Sequence, residues 1–289
     1  MTLVGRGNFT ARLIDINLKQ MWIQRFYETV PRVTHTELDS DQAIISFCAR
    51  AGSPLFWSGV EMKPDWIVWH GEGQHEIQRS TGSVCWGAIS LPIEAMWAAN
   101  LANADRDRAP AGKSLLVAPT AAALARLQFL HAAISELAES DSEALSNPVT
   151  AHAAEQALME ASAGCLTGAH VRTESIVLQH RTLVMRRFRR ALERRPDEPI
   201  YIPELCAEIG VSDRTLRACC QAQLGVGPHR YLLLRRLHLA RRALLGGVPP
   251  KTTITQIATR YGFWQFGRFA RDYRLLFGEL PSATVARRC

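Results

Sequence analysis

Short runs of apolar residues alternate with turn residues over the first third of the chain, from about residue 10 to residue 93. Runs of this length, bounded by clusters of glycine, proline and serine, are typical of β-strands. The clusters at 52–54, 71–73 and 81–83 have the residue types of tight turns. We therefore predict a mainly β domain, with its clearest strands at Ala43–Ala49, Pro54–Val60, Trp66–Trp69, His75–Arg79 and Val84–Leu91.

The hydrophobic period becomes helical after Pro119, where Thr120 is a suitable N-cap. Apolar residues then recur every three or four positions to about residue 140, which gives the helix one apolar stripe. That stripe fits either against the β domain of its own chain or against the same helix of a second subunit. For the second alternative, the predicted dimerisation residues are Leu127, Leu130, Ile134 and Leu137.

A break at 146–148 separates this helix from a second one, which we predict to end near Ser162. Glycines at 164 and 168 predict an interdomain turn, with the linker at 163–173. A long amphipathic helix follows from about Glu174 to Arg194. We expect three regions: a β-rich domain at 1–113, a helical segment for dimerisation and linkage at 114–170, and an all-α domain at 171–289.

The pattern of helix, glycine turn and capped helix runs from Ile202 to Leu224. The first helix is expected to end at Gly210, and Ser212 is placed to cap the second. This order is the helix-turn-helix layout, whose second helix presents its N-terminal side chains to base edges in the major groove. Arginine pairs there with guanine through two hydrogen bonds. The predicted DNA contacts of this unit are Arg214, Thr215 and Arg217.

A second helix-turn-helix unit is predicted from Thr253 to Phe277. Thr253 and Gln256 have the spacing of a capping box, and Gly262 falls in the turn. Glutamine is suited to adenine, and arginine to guanine or phosphate. The predicted DNA contacts are Gln265, Phe266, Arg268 and Arg271, with Asp272 also facing outward.

The two units are joined by a helix predicted from Pro228 to about Leu245. A helix of that length is a rod of roughly 27 Å. Successive major grooves lie about 34 Å apart on one face of the duplex, so such a rod suits two reading heads.

Charge supports a polyanionic partner for the C-terminal end. Residues 1–170 carry 12 basic and 18 acidic side chains, a balance of −6, whereas residues 171–289 carry 22 basic and 9 acidic side chains, a balance of +13. Membrane surfaces attract compact lysine clusters beside an apolar anchor, and the sequence has no such cluster. The seven cysteines form no CxxC pair, and no signal peptide pattern is present, so we expect a cytoplasmic protein with reduced thiols.

The C-terminal motifs resemble the DNA-binding domain of the AraC/XylS family over about residues 174–289. The first half of that domain is matched by Leu205-Cys206, Gly210-Val211-Ser212, Arg214-Thr215-Leu216, Leu224-Gly225, Pro228, Tyr231-Leu232 and Arg236-Leu237. The second half is matched by Ile257-Ala258, Tyr261-Gly262-Phe263, Gly267-Arg268-Phe269, Tyr273, Phe277-Gly278-Glu279 and Pro281-Ser282. The resemblance implies paired helix-turn-helix units that bind promoter DNA and usually activate transcription through contact with RNA polymerase.

The N-terminal region is similar to the cupin-like sensor domains common in that family, through Trp57-Ser58-Gly59-Val60, His70-Gly71 and Trp86-Gly87. The expected fold class is therefore α+β, with a β-rich cupin-like domain, a helical segment and an all-α domain with two helix-turn-helix units. Two departures from the family pattern are Cys219-Cys220, in place of an aromatic residue, and Tyr201, where serine or threonine often caps the helix.

We expect a homodimeric regulator that responds to a small organic effector, without a cofactor, a metal or an enzymatic activity. Six of the seven tryptophans lie in the first hundred residues and fit either an effector pocket or a core. The alternatives are an enzyme of the cupin type, with His70, His75 and Glu76 on a metal, and a methyl acceptor at Cys219 or Cys220.

Overall fold

In the computed structural model, the described residues are 2–5, 7, 9–37, 42–70, 75–92, 114–141, 143–167, 169–172, 176–196, 198–247 and 252–287. Within them the strands are β1 (Thr2–Leu3), β2 (Ala11–Asn17), β3 (Trp22–Glu28), β4 (Arg32–Glu37), β5 (Gln42–Arg50), β6 (Leu55–Trp57), β7 (Val60–Met62), β8 (Ile67–His70), β9 (His75–Ser80), β10 (Val84–Pro92), β11 (Leu115–Ala118) and β12 (His170–Arg172). The helices are α1 (Ala121–Ser140), α2 (Pro148–Leu166), α3 (Ile176–Arg194), α4 (Ile202–Ile209), α5 (Asp213–Leu224), α6 (Pro228–Arg242), α7 (Ile254–Arg260), α8 (Phe266–Phe277) and α9 (Pro281–Ala286).

The strands form two antiparallel sheets. The first, which we call the outer sheet, has the order β1-β4-β9-β6-β7, and the second, the inner sheet, has the order β12-β11-β8-β5-β10-β3-β2. Alternation along β5 explains how the inner sheet is buried on both faces, because successive side chains point to opposite sides. Ile45 and Phe47 belong to the core shared with α1 and α2, whereas Cys48 packs with the apolar cluster between the two sheets.

Helices α1 and α2 cover the inner sheet and bury part of the predicted dimerisation stripe within the chain. Leu127 is fully buried and Ile134 is 8% exposed, and both lie in the core formed with the inner sheet. Leu130 packs against the same core. Thr120 caps α1 by accepting a hydrogen bond from the Ala123 N–H. Leu127, Leu130 and Ile134 therefore pack on the β domain of their own chain, whereas Leu137 is half-buried outside that cluster.

Several strand and helix bounds differ from the sequence predictions. The predicted strand Pro54–Val60 is two strands, because Ser58 and Gly59 have φ angles of 46° and 85° and turn the chain between β6 and β7. Strand β11 lies in the segment predicted as helical, and pairs with β8. Helix α2 continues to Leu166, past the predicted turn, and β12 in the predicted linker pairs with β11.

The outer sheet shares a core with the first helix-turn-helix unit. Val33 and Ile77 are buried in the same cluster as Phe188 and Leu216. His35 Nε2 lies 2.8 Å from the Tyr231 hydroxyl oxygen in α6. The β domain and the C-terminal helices are therefore in direct, tightly packed contact.

Two glycines permit the closest approach between these parts. Gly59 and Gly225 both have left-handed φ angles, 85° and 72°. A Cβ on Gly225 would lie 2.9 Å from Cδ of Arg79, and a Cβ on Gly59 would lie 3.2 Å from the Ala222 carbonyl oxygen. A side chain at either position would strain the backbone, and at Gly59 it would also crowd the Ala222 carbonyl oxygen of α5.

An ion pair links the two sheets at the β3–β4 connection. Arg32 is 1% exposed, and its Nε lies 2.5 Å from the Glu28 carboxylate. The same guanidinium also donates to the carbonyl oxygen of Gln78 at 3.4 Å and to its side-chain amide oxygen. Because burial removes water from the guanidinium, it lowers the pKa of Arg32, while Glu28 raises it.

Burial lowers the pKa of three histidines, His35, His131 and His238, from 6.5 to about 4. An unfolded chain takes up these protons as the pH falls below 6.5, whereas the folded chain takes them up only near pH 4. The free energy of unfolding should therefore fall between pH 7 and pH 5, by up to about 1.4 kcal/mol per pH unit for each histidine.

Urea titrations at both pH values measure this loss. The double variant His35→Gln, His238→Gln should lose less stability over the same interval. Equal midpoints for the wild-type protein at pH 7 and pH 5 would contradict the prediction.

Among the described helices, none is both long enough and apolar enough to cross a membrane.

Candidate nucleic-acid interface

The first helix-turn-helix unit consists of α4 and α5. Its capping residues and its buried apolar residues favour the same arrangement of the two helices. Gly210 ends α4 in the left-handed region, where its N–H donates to the Cys206 carbonyl oxygen at 3.0 Å. Ser212 then caps α5 by accepting from the Thr215 N–H at 3.1 Å. Leu205, Ile209 and Leu216 are buried between the two helices and α3. The turn therefore fixes the direction in which α5 leaves the core.

The predicted DNA-contacting side chains on α5 differ in whether another side chain already binds them. Arg214 is exposed, and within the described residues it forms no ion pair. Arg217 is exposed but lies 2.9 Å from the Asp213 carboxylate. The Thr215 hydroxyl lies 2.9 Å from that of Ser212, so it takes part in the cap. Arg214 is the side chain of this unit that is most available to a ligand.

The second unit, α7 and α8, has the predicted capping box. Thr253 accepts from the Gln256 N–H at 3.2 Å, and its own N–H donates to the Gln256 side chain at 2.8 Å. Gly262 has a φ angle of 75° in the turn, and a Cβ there would lie 3.0 Å from Pro199. Phe269 and Tyr273 are buried, as predicted, and hold α8 against α7 and α6.

The exposed side of α8 begins with its N-terminal residues. Gln265 is the N-cap, is exposed, and makes no side-chain capping bond. Phe266 is 43% exposed. The side chains of Arg268 and Arg271 are 65% and 67% exposed and lie 3.7 Å and 3.4 Å from the Asp272 carboxylate. Asp272 was predicted to face outward, but its side chain is only 10% exposed because it lies beneath these two arginines.

The connecting helix α6 is shorter than predicted. It ends at Arg242 and is followed by a wide turn, Ala243–Gly247, in which Gly246 has a φ angle of 141°. Arg235 donates to the carbonyl oxygens of Leu192, Arg195 and Pro196 and so fixes the end of α3. Arg236 donates to the Gly262 carbonyl oxygen at 3.1 Å. Helix α6 is thus attached to the end of α3 and to the turn of the second unit.

The two departures from the family pattern are accommodated. Cys219 and Cys220 are 2% and 0% exposed, and burial raises the pKa of both thiols. A buried thiol with a raised pKa is a poor nucleophile, which argues against the methyl-acceptor alternative. Tyr201 precedes α4 without a side-chain capping bond.

The histidine cluster considered as a metal site is a hydrogen-bonded core group. His70 Nδ1 lies 2.6 Å from the Glu76 carboxylate, and Nε2 lies 2.8 Å from the Ser46 hydroxyl oxygen. Trp57 lies edge-on to the His70 ring, with 4.6 Å between centroids. The His75 side chain lies outside the described residues. Within the described part of the chain no group of three metal-binding side chains occurs.

Sequence reasoning missed three residues beside the second unit. Trp264 is 71% exposed directly before α8, and His229 and Arg230 are exposed on the first turn of α6. All three line one cleft with Arg268. The available signal was that Trp264 is the single tryptophan in the basic part of the chain.

The comparisons with known proteins agree with this geometry. A family model described as a helix-turn-helix domain matches residues 205–287. The probable thc operon regulatory protein of Rhodococcus erythropolis is 38% identical over 91 residues, which are 32% of this chain and 27% of the relative. The XylDLEGF operon transcriptional activator of Pseudomonas putida is 40% identical over 87 residues, which are 30% of this chain and 27% of the relative.

A solved structure, a probable AraC family transcriptional regulator from Rhodopseudomonas palustris, is 37% identical to this chain. The match covers 36% of this chain and 96% of that one, with a TM-score of 0.34. The chain spans about a quarter of the length of the two curated relatives.

Proposed function

Because this chain belongs to the AraC/XylS family through its C-terminal helix-turn-helix region, we propose that it is a sequence-specific, DNA-binding regulator of bacterial transcription. The observation that carries the proposal is the pair of capped recognition helices, α5 and α8. Each presents an exposed arginine within its first turn, Arg214 and Arg268. The matched relatives are regulators by name, which supports a regulator over a cupin-type enzyme with a DNA-binding tail.

The arginines of the two helix-turn-helix units differ in how strongly a neighbouring carboxylate already holds them. Arg214 has no carboxylate partner among the described residues, so its guanidinium can donate both hydrogen bonds to the O6 and N7 of one guanine. Arg217 must first separate from Asp213, and Arg268 is held by Asp272 only at 3.7 Å. We therefore assign base readout first to Arg214 and Arg268, with Gln265 on adenine. Phe266, Arg271 and Thr215 would contact the backbone or thymine methyl groups.

The N-terminal β domain, proposed as residues 1–113, would bind a small organic effector. Support comes from the core that the outer sheet shares with the first helix-turn-helix unit, through Val33 and Ile77. An effector that binds the β domain better in one arrangement than in the other would shift the population of DNA-competent molecules. The helical segment at 114–170 and the DNA-binding domain at 171–289 complete the proposed division.

RNA polymerase and a second copy of the chain are further proposed partners, and cytoplasm is the proposed compartment. The polymerase contact is inferred from the family resemblance. For the homodimer, Leu130 and Leu137 are the members of the predicted seam that keep part of their surface accessible, since Leu127 and Ile134 are buried. Sedimentation equilibrium measures the association directly.

The function is tested by measuring the affinity of the purified full chain for DNA from upstream of its own gene and for unrelated DNA at near-physiological salt. We expect about a thousandfold preference, or more, for the upstream fragment. Equal and steeply salt-dependent binding to both fragments would mean that the basic end only attracts phosphates, and would contradict sequence-specific regulation at that site.

A further inference from the structure

A basic cleft of about 470 Å³ lies between the connecting helix α6 and the N-terminal end of the second recognition helix α8. Its walls include His229, Arg230 and Arg236 from α6. The opposite wall includes Trp264 and Arg268. Residues 229, 233 and 236 are spaced four and three apart, so they lie on one face of α6 that is turned toward α8.

The cleft has a surplus of positive charge. Three arginines line it, against the single carboxylate of Asp272. Arg236 is committed to the Gly262 carbonyl oxygen and lies over the Phe263 ring. Arg230 forms no ion pair within the described residues, and Arg268 is 3.7 Å from Asp272. The Arg230 guanidinium is therefore available to an anion, and Arg268 adds positive charge from the facing wall.

Trp264 adds an apolar surface at the same place. With 71% of its surface exposed, it is the most exposed large apolar side chain of the described DNA-reading end. Burial of apolar surface releases about 25 cal/mol per Å². A tryptophan left in water beside a cationic cleft is therefore suited to a ligand that has an anionic group next to an apolar one. The repeating phosphate and deoxyribose of DNA have that composition.

The position of the cleft indicates that it would face the sugar-phosphate backbone of DNA. Trp264 and Arg268 flank Gln265, the N-cap of the helix that would enter the major groove with its N-terminal end first. A side chain on the neighbouring helix α6 would then meet the strand that borders the groove.

We propose that this cleft binds one phosphate of the DNA backbone beside the second recognition helix. Arg230 donates hydrogen bonds to the phosphate oxygens, and Trp264 packs against the adjacent deoxyribose. Arg268, which reads the neighbouring base, adds its positive charge from the opposite wall. The proposal rests on the proposed function, since it requires a DNA duplex on α8. It assigns to α6 a direct part in binding, in addition to its part in spacing the two units.

The experiment is a salt titration of DNA binding, measured by fluorescence anisotropy with the upstream and the unrelated fragments. Arg230→Ala should weaken binding to both fragments by the same factor. It should also reduce the slope of log K against log salt by about 0.9, the amount for one lost phosphate contact. Trp264→Ala should weaken both complexes without changing the slope.

The matched controls are Arg274→Ala and Leu275→Ala. Both residues are exposed near the C-terminal end of α8, away from the cleft, and Arg274 forms no ion pair within the described residues. Neither variant should reproduce its counterpart's effect.

Two results would overturn the phosphate site alone. One is a slope for Arg230→Ala equal to that for Arg274→Ala, and the other is a loss confined to the upstream fragment, which would indicate base reading. If the wild-type chain binds neither fragment, the proposed function fails and the phosphate site fails with it.

Discussion

Replacement of Glu28 by alanine should lower the free energy of unfolding by about 3–5 kcal/mol. The cause is the partner that the substitution leaves behind. Arg32 is almost fully buried between the sheets, and the Glu28 carboxylate is its only anionic partner among the described residues. Without that carboxylate, a guanidinium remains in a medium that solvates charge poorly. Urea titration followed by circular dichroism measures the loss.

Two further variants separate the buried charge from the lost contact. The double variant Glu28→Leu, Arg32→Met removes both charges, and should recover most of the stability. Glu160→Ala breaks an ion pair with Arg126 in which both side chains are at least 60% exposed, and should change stability by less than about 1 kcal/mol. A Glu28→Ala effect as small as that of Glu160→Ala would show that water reaches Arg32.

Arg214→Ala and Arg268→Ala should each reduce the preference for upstream DNA by roughly 5- to 150-fold, the range for a lost bidentate contact to guanine. The two arginines are on different helices and share no partner in the described residues. Their effects should therefore combine, and the double variant should lose the product of the two factors. Binding to unrelated DNA should weaken much less.

The control for these variants is Arg190→Ala. Arg190 is exposed on α3 and forms no ion pair within the described residues, so it carries the same charge without a place on a recognition helix. It should weaken binding to both fragments slightly and leave the preference unchanged. A preference that survives in the Arg214→Ala, Arg268→Ala double variant would exclude both residues as base readers.

The recognition helices were predictable because their signals are local. Ser212, Gly210, Thr253 and Gly262 act within a few residues of their position, and each has in the structure the role that its sequence context indicates. Local capping and a matching apolar face suffice to specify such a unit.

The errors in the β domain arise where partners are distant in sequence. The run at Leu115–Ala118 is short and apolar, so its hydrophobic period cannot distinguish a strand from the start of a helix. Pairing with the distant strand β8 makes it a strand. The stripe on α1 is apolar whether it faces a sheet or a second subunit. Likewise, the four-residue spacing of Glu28 and Arg32 gives no sign that they join two sheets across a bend.

In the candidate site, the missed residues were those whose role depends on a neighbour from another helix. The first turn of α6 was predicted only as part of a spacer, because nothing in its own sequence places it beside α8. Trp264 was left out because it falls in the turn and not on the helix that follows it.

The shared core of the outer sheet and the first helix-turn-helix unit has a consequence for how the molecule unfolds. Among the described residues, Val33 and Ile77 are buried members of that core, whereas the core of the second unit includes Val4 from the β domain, at its edge. Cooperative unfolding units follow the contacts that hold them. We therefore expect the first helix-turn-helix unit and the outer sheet to open together as one unit, and the second helix-turn-helix unit to open more independently. The two helix-turn-helix units should therefore differ in the free energy of local opening, even though they share one architecture.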